Sequence, residues 1–152
     1  MEATHAAETD SIIKAANGGT IVLKSGAVLQ NNKAAQFGSS ILANNGVNIT
    51  MEDGAIIRNN TNRNYELGGG ILIGNGSTFT MNGGEISGNT ANGGGGVAII
   101  GSTMVMNDGT ISTTAPTGHP VRAVTAPAFM LRITPTQAAA IQYLQLNQPL
   151  LK

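Results

Sequence analysis

Four segments of this chain superpose on one another: residues 20–31 (TIVLKSGAVLQN), 48–59 (NITMEDGAIIRN), 78–89 (TFTMNGGEISGN) and 103–114 (TMVMNDGTISTT). Leu23, Met51, Met81 and Met106 take the same place in each copy, at spacings of 28, 30 and 25 residues. A unit this short cannot bury an apolar face by itself, so copies in tandem must stack and share one core.

Within each copy apolar residues alternate, as Ile49 with Met51 and Phe79 with Met81, which is the period of a strand with one buried face. A turn ending in Gly26, Gly54, Gly84 or Gly109 follows. A second short strand is then expected to place Val28, Ile56, Ile86 and Ile111 inward. A third is legible at residues 41–43, 71–73 and 97–99, the last two entered through the glycine runs 68–70 and 93–96. Three strands and three turns per copy describe a coil that closes on itself and stacks on the next at about 4.8 Å. The predicted fold class is therefore all-β: a right-handed parallel β-helix (solenoid) of about four coils, spanning residues 20–115.

The coil corners carry Asn31, Asn59 and Asn89, with Thr114 in the last copy. Two physical reasons favour Asn there. Stacked inward amides can donate to one neighbour and accept from the other, so a polar group that would be costly alone becomes part of a satisfied ladder. Asn also tolerates a left-handed turn better than most side chains. Length varies mainly between the second and third strands, at residues 33–40 and 61–67. Insertions in repeat arrays line up on one loop face, commonly the binding face, which makes Asn62, Arg63, Asn64 and Tyr65 the candidate ligand-contact loop.

A stack needs both ends covered, because an open parallel edge templates another chain. Residues 1–19 are expected to supply an N-terminal cap. Within them residues 5–16 read as a short helix, with Ile12, Ile13 and Ala16 as its apolar patch and Asn17, Gly18 and Gly19 as its stop. After Thr114 the repeat is lost, and Pro116, Pro120 and Pro127 oppose a further coil. Residues 116–152 are expected to form a Pro-rich linker, a last strand at 129–133, and a C-terminal cap helix that opens at Pro135 and ends near residue 147.

With 11% charged and 3% aromatic residues the chain could pass for a disordered one, but 41% of it is apolar and placed at regular intervals, which argues for order. Formal net charge is zero and the eight Lys and Arg residues are scattered singly, so no cationic stripe can neutralise a phosphate backbone and no nucleic-acid partner is expected. No apolar run approaches the ~18 residues of a membrane helix, so no membrane span is expected. The opening MEATH lacks the basic start and apolar stretch of a signal peptide; an exported form would carry its signal outside these residues. Without cysteine there is neither a disulfide nor a thiolate metal site.

Residues 78–90 (TFTMNGGEISGNT) and 93–99 (GGGGVAI) resemble the glycine- and asparagine-rich repeats of bacterial β-helix surface proteins, including adhesin-like and polymorphic outer-membrane-type families. Residues 11–23 (SIIKAANGGTIVL) resemble the opening of pectate-lyase-like β-helix proteins. The resemblance covers residues 10–115 and is more specific for fold than for function, since that architecture carries lyases, hydrolases, adhesins and passenger domains alike. What it implies is a non-enzymatic structural or adhesive module of a bacterial surface or secreted protein. Such a module would sit outside the cell or at its surface, contact carbohydrate or a cell-surface protein, and exist as a monomer or an end-to-end oligomer.

An enzyme of the pectate-lyase-like kind would need clustered carboxylates and a basic residue on one strand face. The residues available are Glu52, Asp53, Glu66, Glu85 and Asp108, with Arg58 and Arg63. Asp53 and Asp108 take equivalent turn positions two coils apart with Gly83 between them, about 10 Å from one another and too far for a shared metal. His5 and His119 lie outside the repeats, and no nucleophile elbow, phosphate loop or metal-ligand spacing occurs. No catalytic, cofactor-binding or metal residue is assigned, and a polysaccharide-processing fragment is the enzymatic alternative. A second alternative rests on the outward positions of the first strand, Thr20, Asn48, Thr78 and Thr103 beside Val22, Thr50, Thr80 and Val105. That rank resembles the ice-contacting face of some β-solenoid antifreeze proteins, with Thr78 and Thr80 as the full Thr-x-Thr pair.

Overall fold

The computed structural model describes residues 10–35, 37–38, 40–62, 67–91 and 93–112, and the backbone of two further strands at 121–124 and 144–146. The chain passes repeatedly through the same three strands. The first rung is β1 (Ile13–Ala16), β2 (Thr20–Leu23) and β3 (Val28–Gln30), followed by the two-residue β4 (Lys33–Ala34). The second is β5 (Ile41–Asn44), β6 (Asn48–Met51) and β7 (Ile56–Arg58), followed by β8 (Thr61–Asn62). The third is β9 (Ile71–Gly74), β10 (Thr78–Met81) and β11 (Glu85–Ser87), and the fourth β12 (Val97–Ile100), β13 (Thr103–Met106) and β14 (Thr110–Ile111). Beyond them lie β15 (Val121–Val124) and β16 (Leu144–Leu146).

Equivalent strands pair in parallel and in register, giving three long sheets, β1-β5-β9-β12-β15-β16, β2-β6-β10-β13 and β3-β7-β11-β14, with a small β4-β8 pair beside them. The four rungs make an all-β parallel solenoid of about three turns, counted from Ile13 through its register partners Ile41 and Ile71 to Val97, with no helix among the described residues.

The core is a column of stacked apolar rows. The first sheet contributes the row Ile13, Ile41, Ile71, Val97, and the second contributes Ile21, Ile49, Phe79, Met104 and Leu23, Met51, Met81, Met106. Side chains of the middle rungs, such as Ile49, Met51, Phe79 and Met81, are completely buried, each worth about 1.5–3 kcal/mol against exposure. In the first rung Ile13, Ala15, Ile21 and Leu29 are only half-buried. The column therefore weakens toward its N-terminal end.

The second strand of the repeat departs from expectation by one residue. Val28 is exposed and Ile56 partly exposed; the inward row is Leu29, Ile57, Ile86, Ile111. The turn after Met81 is one residue shorter than those after Leu23 and Met51, because Glu85 pairs with Ile56 and not with Ala55. A slip of one residue exchanges the two faces of a strand. Both candidates are apolar in Val28-Leu29 and in Ile56-Ile57, so alternation alone cannot choose between them.

The ends also differ from expectation. Residues 13–16, placed in an N-terminal cap helix by sequence, form β1, hydrogen-bonded to β5 with Ile13 opposite Ile41. The rung thus begins before Thr20. Pairing along a whole strand outweighs the modest helix preference of Lys14-Ala15-Ala16. At the other end the proline-rich tail does not stop the first sheet, since Val121–Val124 pairs with β12. Leu144–Leu146, expected inside a cap helix, is a strand paired with β15. The expected strand at 129–133 and the helix start at Pro135 lie outside the described residues, as do residues 1–9.

The glycine runs are demanded by close backbone approach. Gly68, Gly69 and Gly70 donate to the carbonyls of Gly93, Gly94 and Gly95 at 3.0, 3.2 and 2.9 Å, one run lying directly on the other. A Cβ on Gly70 would stand 2.5 Å from the Gly96 carbonyl oxygen, and one on Gly69 would collide with the Gly95 carbonyl.

Candidate functional site

The most regular surface is the outward face of the second sheet. Its register sets Thr20, Asn48, Thr78 and Thr103 in one rank and Val22, Thr50, Thr80 and Val105 in the other. All eight are exposed or partly exposed, and none carries a charge. Neighbours within a rank are about 4.8 Å apart and the two ranks about 6.7 Å, following from strand spacing and rise. The alternation that buries Ile49, Met51, Phe79 and Met81 on one side fixes these hydroxyl and methyl groups on the other. Thr78 and Thr80 sit at the centre, flanked by Thr50 and Thr103.

The asparagine ladder exists, one residue along from its expected place in the first two rungs. Asn31 and Asn59 are exposed and left-handed, with φ of 61° and 55°, and Gly88 takes that position in the third rung at 61°. The inward amides are those of Asn32, Asn60 and Asn89. Asn89 Oδ1 accepts from the backbone N–H of Asn60 at 3.0 Å and from Asn60 Nδ2 at 2.9 Å, and Asn60 Oδ1 accepts from the Asn32 N–H at 3.0 Å. Asn60 Nδ2 also donates to the Leu29 carbonyl at 3.1 Å, and Asn89 Nδ2 to the Ile57 carbonyl at 2.9 Å. Asn60 and Asn89 are fully buried. Both physical reasons for Asn thus operate, on adjacent residues. The doubled Asn31-Asn32 and Asn59-Asn60 against the single Asn89 is the sequence signal of the shorter third turn.

Of the candidate ligand-contact loop, Asn62 is buried in β8, paired with Ala34 of β4, so its side chain is not presented at the surface. Arg63, Asn64 and Tyr65 lie outside the described residues, as do Glu66, His5 and His119.

The carboxylates gather at the corner between the second and third sheets. Asp53, Glu85 and Asp108 line a shallow groove of about 400 Å³ floored by Gly54, Gly84 and Gly109. Gly83 lies against Asp53, since a Cβ there would stand 2.8 Å from Asp53 Cα. Among the described residues no three His, Cys, Asp or Glu side chains are placed to hold one metal ion. Arg58 is on the outward face of the third sheet, donating from Nε to Gln30 Oε1 at 2.8 Å. The carboxyl of exposed Asp10 is held below its ordinary range by its hydrogen bond from Lys14.

No protein-family model, curated protein or solved structure matches the chain. Among the described residues no helix is long and apolar enough to cross a membrane.

Proposed function

We propose that the chain is a non-enzymatic structural and adhesive module of a bacterial surface or secreted protein, and that it meets its ligand on the outward face of the second sheet. The supporting observation is the pair of in-register ranks of Thr, Asn and Val across β2, β6, β10 and β13. A surface of alternating hydroxyls and methyls with no titratable group offers nothing to move a proton, while its repeat matches a ligand that is itself repetitive and uncharged. A neutral polysaccharide or cell-surface glycan has that character. The likeness of the glycine- and asparagine-rich copies to adhesin-like β-helix proteins points the same way.

Binding of the purified chain to an array of neutral polysaccharides and glycans tests this. A Thr50→Lys, Thr80→Lys double variant should fold, because both side chains point outward, and should lose binding. Binding that survives this change but is lost with Arg63→Ala and Tyr65→Ala would move the contact to the variable loop. Failure to bind any glycan would overturn the carbohydrate reading.

The Thr78 and Thr80 pair with Thr50 and Thr103 beside it favours a second reading, contact with the lattice of ice. Thermal hysteresis abolished by Thr80→Lys would support it; hysteresis that is absent, or that survives the change, would remove it.

A further inference from the structure

The corner between the first and second sheets has the same two residues in three successive rungs, Asn17-Gly18, Asn45-Gly46 and Asn75-Gly76. All six have positive φ and all six are exposed. Their amides form an outer ladder, Asn45 Nδ2 donating to Asn17 Oδ1 and Asn75 Nδ2 to Asn45 Oδ1, both at 3.4 Å. An Asn followed by Gly is the dipeptide most open to spontaneous deamidation, because glycine offers no side chain to hinder its own nitrogen. That nitrogen attacks Asn Cγ, a C–N bond forms and ammonia leaves, and water then opens the cyclic imide to Asp or isoaspartate.

Here each attacking nitrogen is engaged. The N–H of Gly18 donates to the Asn45 carbonyl at 2.9 Å, that of Gly46 to the Asn75 carbonyl at 3.1 Å, and that of Gly76 to the Gly101 carbonyl at 2.7 Å. Every one of these bonds runs from one rung to the next, so the nitrogen is released only when those two rungs part.

We infer that this corner is a modification site gated by coil stacking, and that of its three asparagines Asn17 is converted first. Parting the first rung from the second frees Gly18, and of the apolar residues that rung contributes Ile13, Ala15, Ile21 and Leu29 are half-buried and Leu23 alone is buried. Freeing Gly76 requires the third and fourth rungs to separate, and Ile73, Phe79 and Met104 there are fully buried. Local opening follows the burial that must be given up. The outcome also differs by position. An Asp at 17 still accepts the Asn45 amide, whereas an Asp at 45 no longer donates to Asn17, so conversion is tolerated at the open end and disruptive further in.

The test is to hold the full chain at mildly alkaline pH, with and without denaturant, and follow the three corner peptides, those of Asn17, Asn45 and Asn75, by mass spectrometry after digestion. In denaturant the three sites should convert at similar rates. In the folded chain Asn17 should lead, and Asn75 should be slowed about 100-fold relative to denaturant, the factor for an opening that few molecules occupy. Folded rates equal to unfolded ones, or Asn75 ahead of Asn17, would overturn the inference. Ile21→Ala, which loosens the first rung, should speed Asn17 and leave Asn75 unchanged. Equal acceleration of both would mean that whole-molecule unfolding is the gate, and would overturn the rung-by-rung mechanism.

Discussion

Asn59 and Asn60 are neighbours in the chain with opposite tasks. Asn59 takes a left-handed turn in solvent, and Asn60 is buried with both its amide hydrogens and its oxygen engaged. Asn60→Leu would strip partners from the Leu29 carbonyl, the Asn32 N–H and Asn89 Oδ1, and should cost about 2–4 kcal/mol. Asn59→Gly keeps the turn and should change stability by less than about 1 kcal/mol. Denaturant midpoints of the two variants separate these expectations, and equal midpoints would show that the inner ladder is not a stabilising element. The presence of a ladder is legible in the sequence but its register is not, because that depends on one residue missing from the turn after Met81 and masked by paired apolar residues. Ser40 is the opposite case, a residue whose side chain has no partner. It occupies the place of Gly70 and Gly96 in the stack, and its Oγ is buried without a hydrogen bond. Ser40→Ala removes that unsatisfied hydroxyl and should raise stability by about 1 kcal/mol, seen as a higher denaturant midpoint.

Elements in this fold are specified less by their own residues than by the rung beside them. The strands of the second sheet are legible in sequence because polar and apolar residues alternate without ambiguity, as in Thr78-Phe79-Thr80-Met81, and the outward Thr ranks follow directly. β1 is not legible in that way, since Ile13-Lys14-Ala15-Ala16 carries no strand signal of its own. Its likeness to Ile41-Leu42-Ala43-Asn44, each followed by Asn-Gly, is the feature that reveals it. The glycines show the same dependence on neighbours. Gly70 has ordinary φ, but a Cβ there meets backbone of the next rung at 2.5 Å, which cannot move aside without disturbing the sheet. Gly76 has open space around it and a φ of 74°. Gly70→Ala should therefore cost about 3 kcal/mol or more through overpacking, and Gly76→Ala only about 1–2 kcal/mol through strain in the left-handed region. Thermal or denaturant unfolding of both variants gives the order, and a larger loss at Gly76 would mean that the glycine stack relaxes more readily than its geometry indicates.

At the scale of the molecule the two ends of the column are unlike. Ile13, Ile21 and Leu29 of the first rung are half-buried, whereas Met104, Met106 and Ile111 of the last rung are as buried as the middle of the core. Yet among the described residues β13 and β14 are the last strands of their sheets, while the first sheet continues through β15 and β16. The expectation is that the chain after Ser112 supplies the cover for that end. Removing residues 113–152 would then take away the strands paired with β12 and expose Met104, Met106 and Ile111, each forgoing about 1.5–3 kcal/mol of burial. It would also leave β12, β13 and β14 as adjoining parallel edges with unpaired backbone groups, which is a template for another molecule's strands. The truncated chain should therefore associate end to end, its mass by light scattering rising with concentration under conditions where the full chain holds a fixed mass. A truncated chain that stays a stable monomer would show that the last rung is self-sufficient and that the tail has some other task.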